Sequence, residues 1–144
     1  MNPDANGPAI IVAVESGLPT LLLQFLVTVA LLVIGVGIYM SVTRFREREL
    51  VRRGNVAAAI VLAGAIISLA IPLAALLATS VFVLDIIVWG VVALVIQLVT
   101  LGVISLLLRG FVSMIEAGNA AAAVTLAATQ IAVGLINASA MIPV

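Results

Sequence analysis

Four stretches of this chain are almost free of charge, and each is long enough to cross a bilayer. Residues 18–43, 56–79 and 120–141 hold no Asp, Glu, Lys or Arg, and residues 81–108 hold one, Asp85. A transmembrane helix needs about 20 predominantly apolar residues. Inside a bilayer no water can satisfy a backbone N–H or C=O, so apolar runs of this length fold as helices that satisfy their own. The expected fold is an all-α membrane protein with four transmembrane helices. Composition agrees: 8% of residues are charged, against about 25% in soluble domains, and the mean hydropathy is +1.45.

The chain also repeats a phrase. Residues 54–63 read GNVAAAIVLA and residues 118–127 read GNAAAAVTLA, with seven of ten positions identical at an offset of 64. Each copy opens one apolar run and follows another, which predicts two tandem helical-hairpin repeats. The expected divisions are a tail at 1–17, a first repeat at 18–79 with an arginine-rich connector at 44–55, and a second repeat at 80–144. Each repeat holds an even number of spans, so both copies keep one orientation, related by an axis along the membrane normal. Gly54 and Gly118 are placed to end one helix, and Asn55 and Asn119 to cap the next. The small residues that follow (Ala57, Ala58, Ala59 and Ala121, Ala122, Ala123) are the expected helix-packing motif.

Local signals place the remaining joints. Ser16 is the expected N-cap of the first span, with Pro19 in its first turn; residues 9–14 either lie at the interface or extend that helix. At 1.5 Å per residue, residues 18–43 cover about 39 Å against a hydrocarbon core of about 30 Å, so tilt or overhang is expected. Close helix packing is the expected use of Gly35 and Gly37, of Ala59, Ala63 and Ile67, and of Gly64 and Ser68. Pro72 removes a backbone hydrogen bond and predicts a kink near the end of the second span. A turn is expected at Thr79 and Ser80.

All six cations are arginines: Arg44, Arg46, Arg48, Arg52 and Arg53 after the first span, and Arg109 after the third. With four spans those positions share one side, and the positive-inside rule makes it cytoplasmic, with both termini outside. The first cluster is read chiefly as this topology signal. It is also the candidate contact for anionic lipid headgroups or a cytosolic partner. A net charge of zero gives no footprint for nucleic acid.

Few polar residues interrupt the spans, and they form the candidate site. Asp85, one turn inside the third span, suits a dipole-stabilised acid at a helix start, or an ion site facing outward. Gln97, Thr100, Gln130 and Asn137 lie deeper, where interhelical hydrogen bonding is the ordinary role of amides. All belong to the second repeat, and their equivalents at an offset of 64 (Val33, Val36, Ile66 and Leu73) are apolar. These four residues are therefore expected to line a polar seam between the third and fourth spans.

The stretch DIIVWGVVALVIQL at 85–98 resembles D-x3-W-G-x2-A-L-V-I-Q-L of the YjfL-type family of bacterial inner-membrane proteins. The closing GLINASAM at 134–141 resembles that family's terminal G-[IL]-[IF]-N-A-[AS]-[CA]-M, and IPL at 71–73 and the two alanine phrases match it as well. The likeness runs from Leu18 onward. It implies four membrane helices, two copies of domain of unknown function 350, and a bacterial inner-membrane location, and it implies no activity. The first connector departs from the family in its richness in arginine.

Chemistry is narrowly bounded. The chain has no Cys, no His and no Lys, which removes thiol nucleophiles, imidazole bases and the usual zinc ligands. No enzymatic activity, catalytic residue, metal or cofactor is expected. The expected role is a small membrane scaffold subunit that packs with its own copies or with other membrane or cytosolic proteins. The alternative is an oligomeric channel or carrier for an ion or small solute.

Overall fold

The computed structural model describes residues 6–43 and 47–141, the side chains of 6–10 and of Arg109 excepted. The described residues form α1 (Asn6–Val42), α2 (Glu47–Arg52), α3 (Val56–Thr79), α4 (Val83–Leu107), α5 (Arg109–Glu116) and α6 (Ala120–Met141). Four of these, α1, α3, α4 and α6, are long and apolar enough to cross a membrane. The short helices α2 and α5 lie at one end of the bundle, here called the connector end. The α3–α4 turn marks the other, the turn end.

The bundle is organised on α3 and α6, its most extensive contact, with α1 packed on α4 and α3. Close approach depends on glycine. A Cβ built on Gly64 would lie 2.5 Å from the Ala127 Cβ, and one on Gly134 would lie 2.6 Å from the Ser68 carbonyl oxygen. The two contacts follow the same order in both helices, so α3 and α6 run parallel. On the α1–α4 face, Gly35 receives Leu94 and Gly90 receives Leu31. One apolar cluster, at the connector end, joins Ala57, Ala58 and Val61 of α3 to Ala123 and Leu126 of α6 and Ile115 of α5. A second, in mid-bundle, joins Ala65, Leu69 and Leu73 to Tyr39, Leu94 and Leu101. The alanine phrases thus pack as expected at Ala57, Ala58, Ala122 and Ala123, whereas Ala59 is half-buried and Ala121 is exposed.

Both GN phrases fold identically. Gly54 (φ 81°) and Gly118 (φ 85°) take the left-handed conformation. Asn55 N–H donates to the Leu50 carbonyl and Gly54 N–H to that of Val51, and Asn119 and Gly118 repeat this with Met114 and Ile115. This is the Schellman ending, which absorbs carbonyls that a helix end leaves unpaired. The same asparagines then cap the next helix, Asn55 accepting from Ala58 N–H and Asn119 from Ala122 N–H. The glycines are exposed and shape the turn; the alanines after them make the packing.

Several sequence expectations are corrected. Residues 6–17 belong to α1, so residues 9–14 extend the first helix, whereas Ser16 does not cap: its hydroxyl donates to the Val12 carbonyl within α1. Pro19 lies inside the helix. Gly37 has no atom within 4 Å of a built Cβ, so Gly35 alone of that pair packs. Ala63 and Ile67 are exposed, because the buried face of α3 carries Gly64, Ala65, Ser68 and Leu69. The arginine-rich connector, read from sequence as a continuation of the first helix into water, instead holds a separate helix: α1 ends at Val42, and the first residue of α2, Glu47, is buried.

Candidate functional site

Apolar packing at the bundle centre surrounds a connected group of polar side chains. Gln97 of α4 and Gln130 and Asn137 of α6 are all buried. Gln97 Nε2 donates to the Gln130 carbonyl oxygen (3.4 Å), and Asn137 Nδ2 donates to the Ala93 carbonyl (2.9 Å) and to Gln97 Oε1 (3.4 Å). The expected seam therefore forms between α4 and α6. Thr100 is not part of it: the residue is half-buried and its hydroxyl donates to Ile96 O of its own helix. Asp85 is also elsewhere, half-buried in the first turn of α4.

The seam extends further toward the connector end than the sequence suggested. Gln130 Nε2 donates to the Tyr39 hydroxyl at 3.3 Å, and that hydroxyl donates to Glu47 Oε1 at 2.9 Å. Tyr39 is 3% exposed and Glu47 2%. Two acceptor atoms here, Glu47 Oε2 and Gln130 Oε1, are buried without a hydrogen-bond partner. Burial pushes the Glu47 carboxyl from 4.5 up to about 7, against a smaller pull downward from the Tyr39 hydrogen bond. The acid escaped sequence reading because it sits in a run of arginines, where a solvated face is the natural assignment. The available signal was Tyr39, the chain's one tyrosine, set eight residues before it inside an otherwise apolar span.

At the turn end an open cleft of about 430 Å³ is lined by Leu76, Thr79, Phe82, Asp85, Trp89 and Met141, among others. Trp89 is one helical turn from Ala93, and Met141 one turn from Asn137, so this cleft begins where the polar group stops. Among the arginines, Arg44 and Arg46 lie outside the described residues, as does the side chain of Arg109. Arg48, Arg52 and Arg53 are exposed, and Arg53 pairs with Glu49. No group of three or more Asp or Glu that could hold a metal occurs among the described residues.

A bundle of four spanning helices, apolar outside and with its hydrogen-bonded polar groups drawn inside, defines a multi-pass membrane protein. This chain belongs to the family described as Domain of Unknown Function (DUF350), whose model matches residues 13–141. It is similar to the UPF0719 inner membrane protein YjfL of Escherichia coli, from strain K12 and from O157:H7. Each is 31% identical over 117 residues, covering 81% of this chain and 89% of the relative. No solved structure matches it. The chain is accordingly an inner-membrane protein embedded in the lipid bilayer.

Proposed function

We propose that this protein is a non-enzymatic membrane subunit that assembles with copies of itself through the exposed first half of α1. The observation that carries the reading is a length mismatch. Gln24 Nε2 donates to the Val81 carbonyl in the α3–α4 turn at 3.0 Å, which fixes Gln24 at the turn end of the bundle. From Gln24 to Val42 the helix covers about 28 Å, close to the hydrocarbon thickness. Residues 6–23 then run about 27 Å beyond, and every described side chain from Ile11 to Leu23 is exposed. Ile11, Val12, Val14, Leu18, Leu21, Leu22 and Leu23 are all about half exposed or more, and Glu15 is the one charged residue in 6–23.

A helix apolar all round is a buried helix, and one lying on a membrane surface needs a polar face that this segment lacks. A second copy offers the same apolar helix at the same height. The absence of His, Cys and Lys supports a non-enzymatic role, and the arginines support a cytoplasmic connector end with both termini outside. The channel or carrier reading requires a closed ring of copies, since the polar groups inside one bundle bond chiefly to one another.

The chain has no cysteine, so single-cysteine variants report cleanly. Leu18→Cys is expected to form a disulfide-linked dimer in native membranes, while Leu107→Cys, exposed at the connector end, is not. Native mass spectrometry from nanodiscs then counts the copies. A monomer with no cross-link at Leu18 overturns the reading, and a closed ring moves it to the channel.

A further inference from the structure

Glu47 is a carboxyl in the wrong surroundings for a carboxylate. Among the described residues the helices around it bring no cation: α3 and α6 contain no titratable residue, α1 brings Tyr39, and α5 brings the exposed Glu116; the side chains of Arg44, Arg46 and Arg109 lie outside the described residues. On its own helix the arginines Arg48 and Arg52 are exposed, and Arg53 is exposed and held by Glu49. Its Oε1 accepts from Tyr39, and its Oε2 accepts from nothing. Gln130, whose Nε2 donates to the same hydroxyl, likewise has an acceptor, Oε1, without a donor. The Tyr39 hydroxyl has one hydrogen and already gives it to Glu47. The cluster is therefore short of a hydrogen: two buried acceptors remain, and no described group serves either.

We propose that Glu47, Tyr39 and Gln130 form a buried proton-binding site at the connector end of the bundle, with the Glu47 carboxyl taking up the proton. One added proton turns an unpaired acceptor into a donor and removes the buried charge, in a cluster whose other unpaired group, Gln130 Oε1, is also an acceptor. The position of the carboxyl, already near neutrality because of its burial, fits this use. Beyond Gln130 the polar group consists of amides and carbonyls (Gln97, Asn137 and the Ala93 carbonyl), which keep their hydrogens at any physiological pH. The proton accordingly enters and leaves at the connector end. The amides offer the proton no path toward the turn-end cleft, so the site senses pH and does not conduct. It does not depend on how copies assemble.

Tyr39 is the only tyrosine, so ring-labelled tyrosine gives one NMR resonance that reports on the bond to Glu47. In the full chain in nanodiscs, that resonance is expected to shift with a midpoint near pH 7. The E47Q variant is expected to hold it at its low-pH position throughout. A pH-driven infrared difference spectrum of the unaltered protein is the second measurement, should E47Q fail to fold. It should show a protonated carboxyl persisting well above the range of exposed carboxylates, which lies near pH 4. Three results overturn the proposal: a tyrosine resonance constant between about pH 5 and 9 with no such carboxyl band, a titration that survives in E47Q, or a midpoint that moves when choline replaces sodium, which would assign the site to a metal cation.

Discussion

Pro72 has no N–H to give to the Ser68 carbonyl, and Gly134 is the residue that lies against that carbonyl. With no side chain, Gly134 lets α6 come close against the freed oxygen. Gly134→Ala is therefore expected to destabilise the bundle by about 1–3 kcal/mol, since a backbone atom cannot swing aside as a side-chain tip can. Gly102→Ala, with nothing within 4 Å of the new Cβ, should leave stability equal or higher by up to about 1 kcal/mol. Thermal unfolding of both variants in one detergent checks the pair. Glu47 gives a different signature. Its folded-state value lies above that of the unfolded chain, so between pH 4.5 and about 7 the folded state holds more protons. Its contribution is full below the unfolded value and is lost as pH rises through the folded one, a fall of about 3 kcal/mol across that window. Unfolding measured against pH should show this slope, and Glu47→Gln should remove it. The Ser68 side of this contact was legible in sequence, since Gly64 and Ser68 form a small-residue stripe in an apolar run; Gly134 opposite it was not singled out. The buried acid was not legible, since its burial depends on α2 turning back against α3.

At the scale of elements, the repeated GN phrase does three jobs in sequence order: glycine turns the chain, asparagine caps, alanine packs. The three were partly legible, because left-handed glycine and capping asparagine have local causes. The difference between the copies was not. Asn55 Nδ2 also donates to the Ile115 and Glu116 carbonyls at the end of α5 (3.0 and 3.2 Å), tying the first connector to the second. The Asn119 side chain makes only its cap bond among the described residues. Asn119→Ala should thus cost what a lost cap costs, about 1 kcal/mol. Asn55→Ala should cost the cap plus two lost bonds to helix-end carbonyls, about 2–3 kcal/mol in total. Equal losses in a detergent melt would show that the cross-connector bonds contribute nothing. The polar seam follows the same rule. Gln97, Gln130 and Asn137 could be placed together from their shared repeat, while Thr100 satisfies its hydroxyl on its own helix, an option open to any helical threonine and silent in the sequence.

For the whole molecule, four uncharged runs determine four spans with little freedom, because a bilayer admits no other fold for them. Where the first span stops being a span is a tertiary fact. Ser16 and Pro19 resemble a helix start, yet the helix runs through both, and only the bond from Gln24 to Val81 shows where the bundle ends. This separates two properties that usually move together in membrane proteins, folding and assembly. Residues 11–23 are exposed, so a substitution there should leave the bundle intact. Leu18→Arg is expected to change unfolding of the single bundle by no more than about 0.5 kcal/mol, as exposed substitutions do. The same arginine would meet its counterpart in a second copy as a like charge against apolar surface, and each 1.4 kcal/mol of that cost lowers association tenfold. Native mass spectrometry across a dilution series should show the variant dissociating at a concentration at least ten times higher than the unaltered protein. If both dissociate together, the first half of α1 is not the contact between copies, and that contact has to be sought on the lipid-facing sides of α3, α4 and α6.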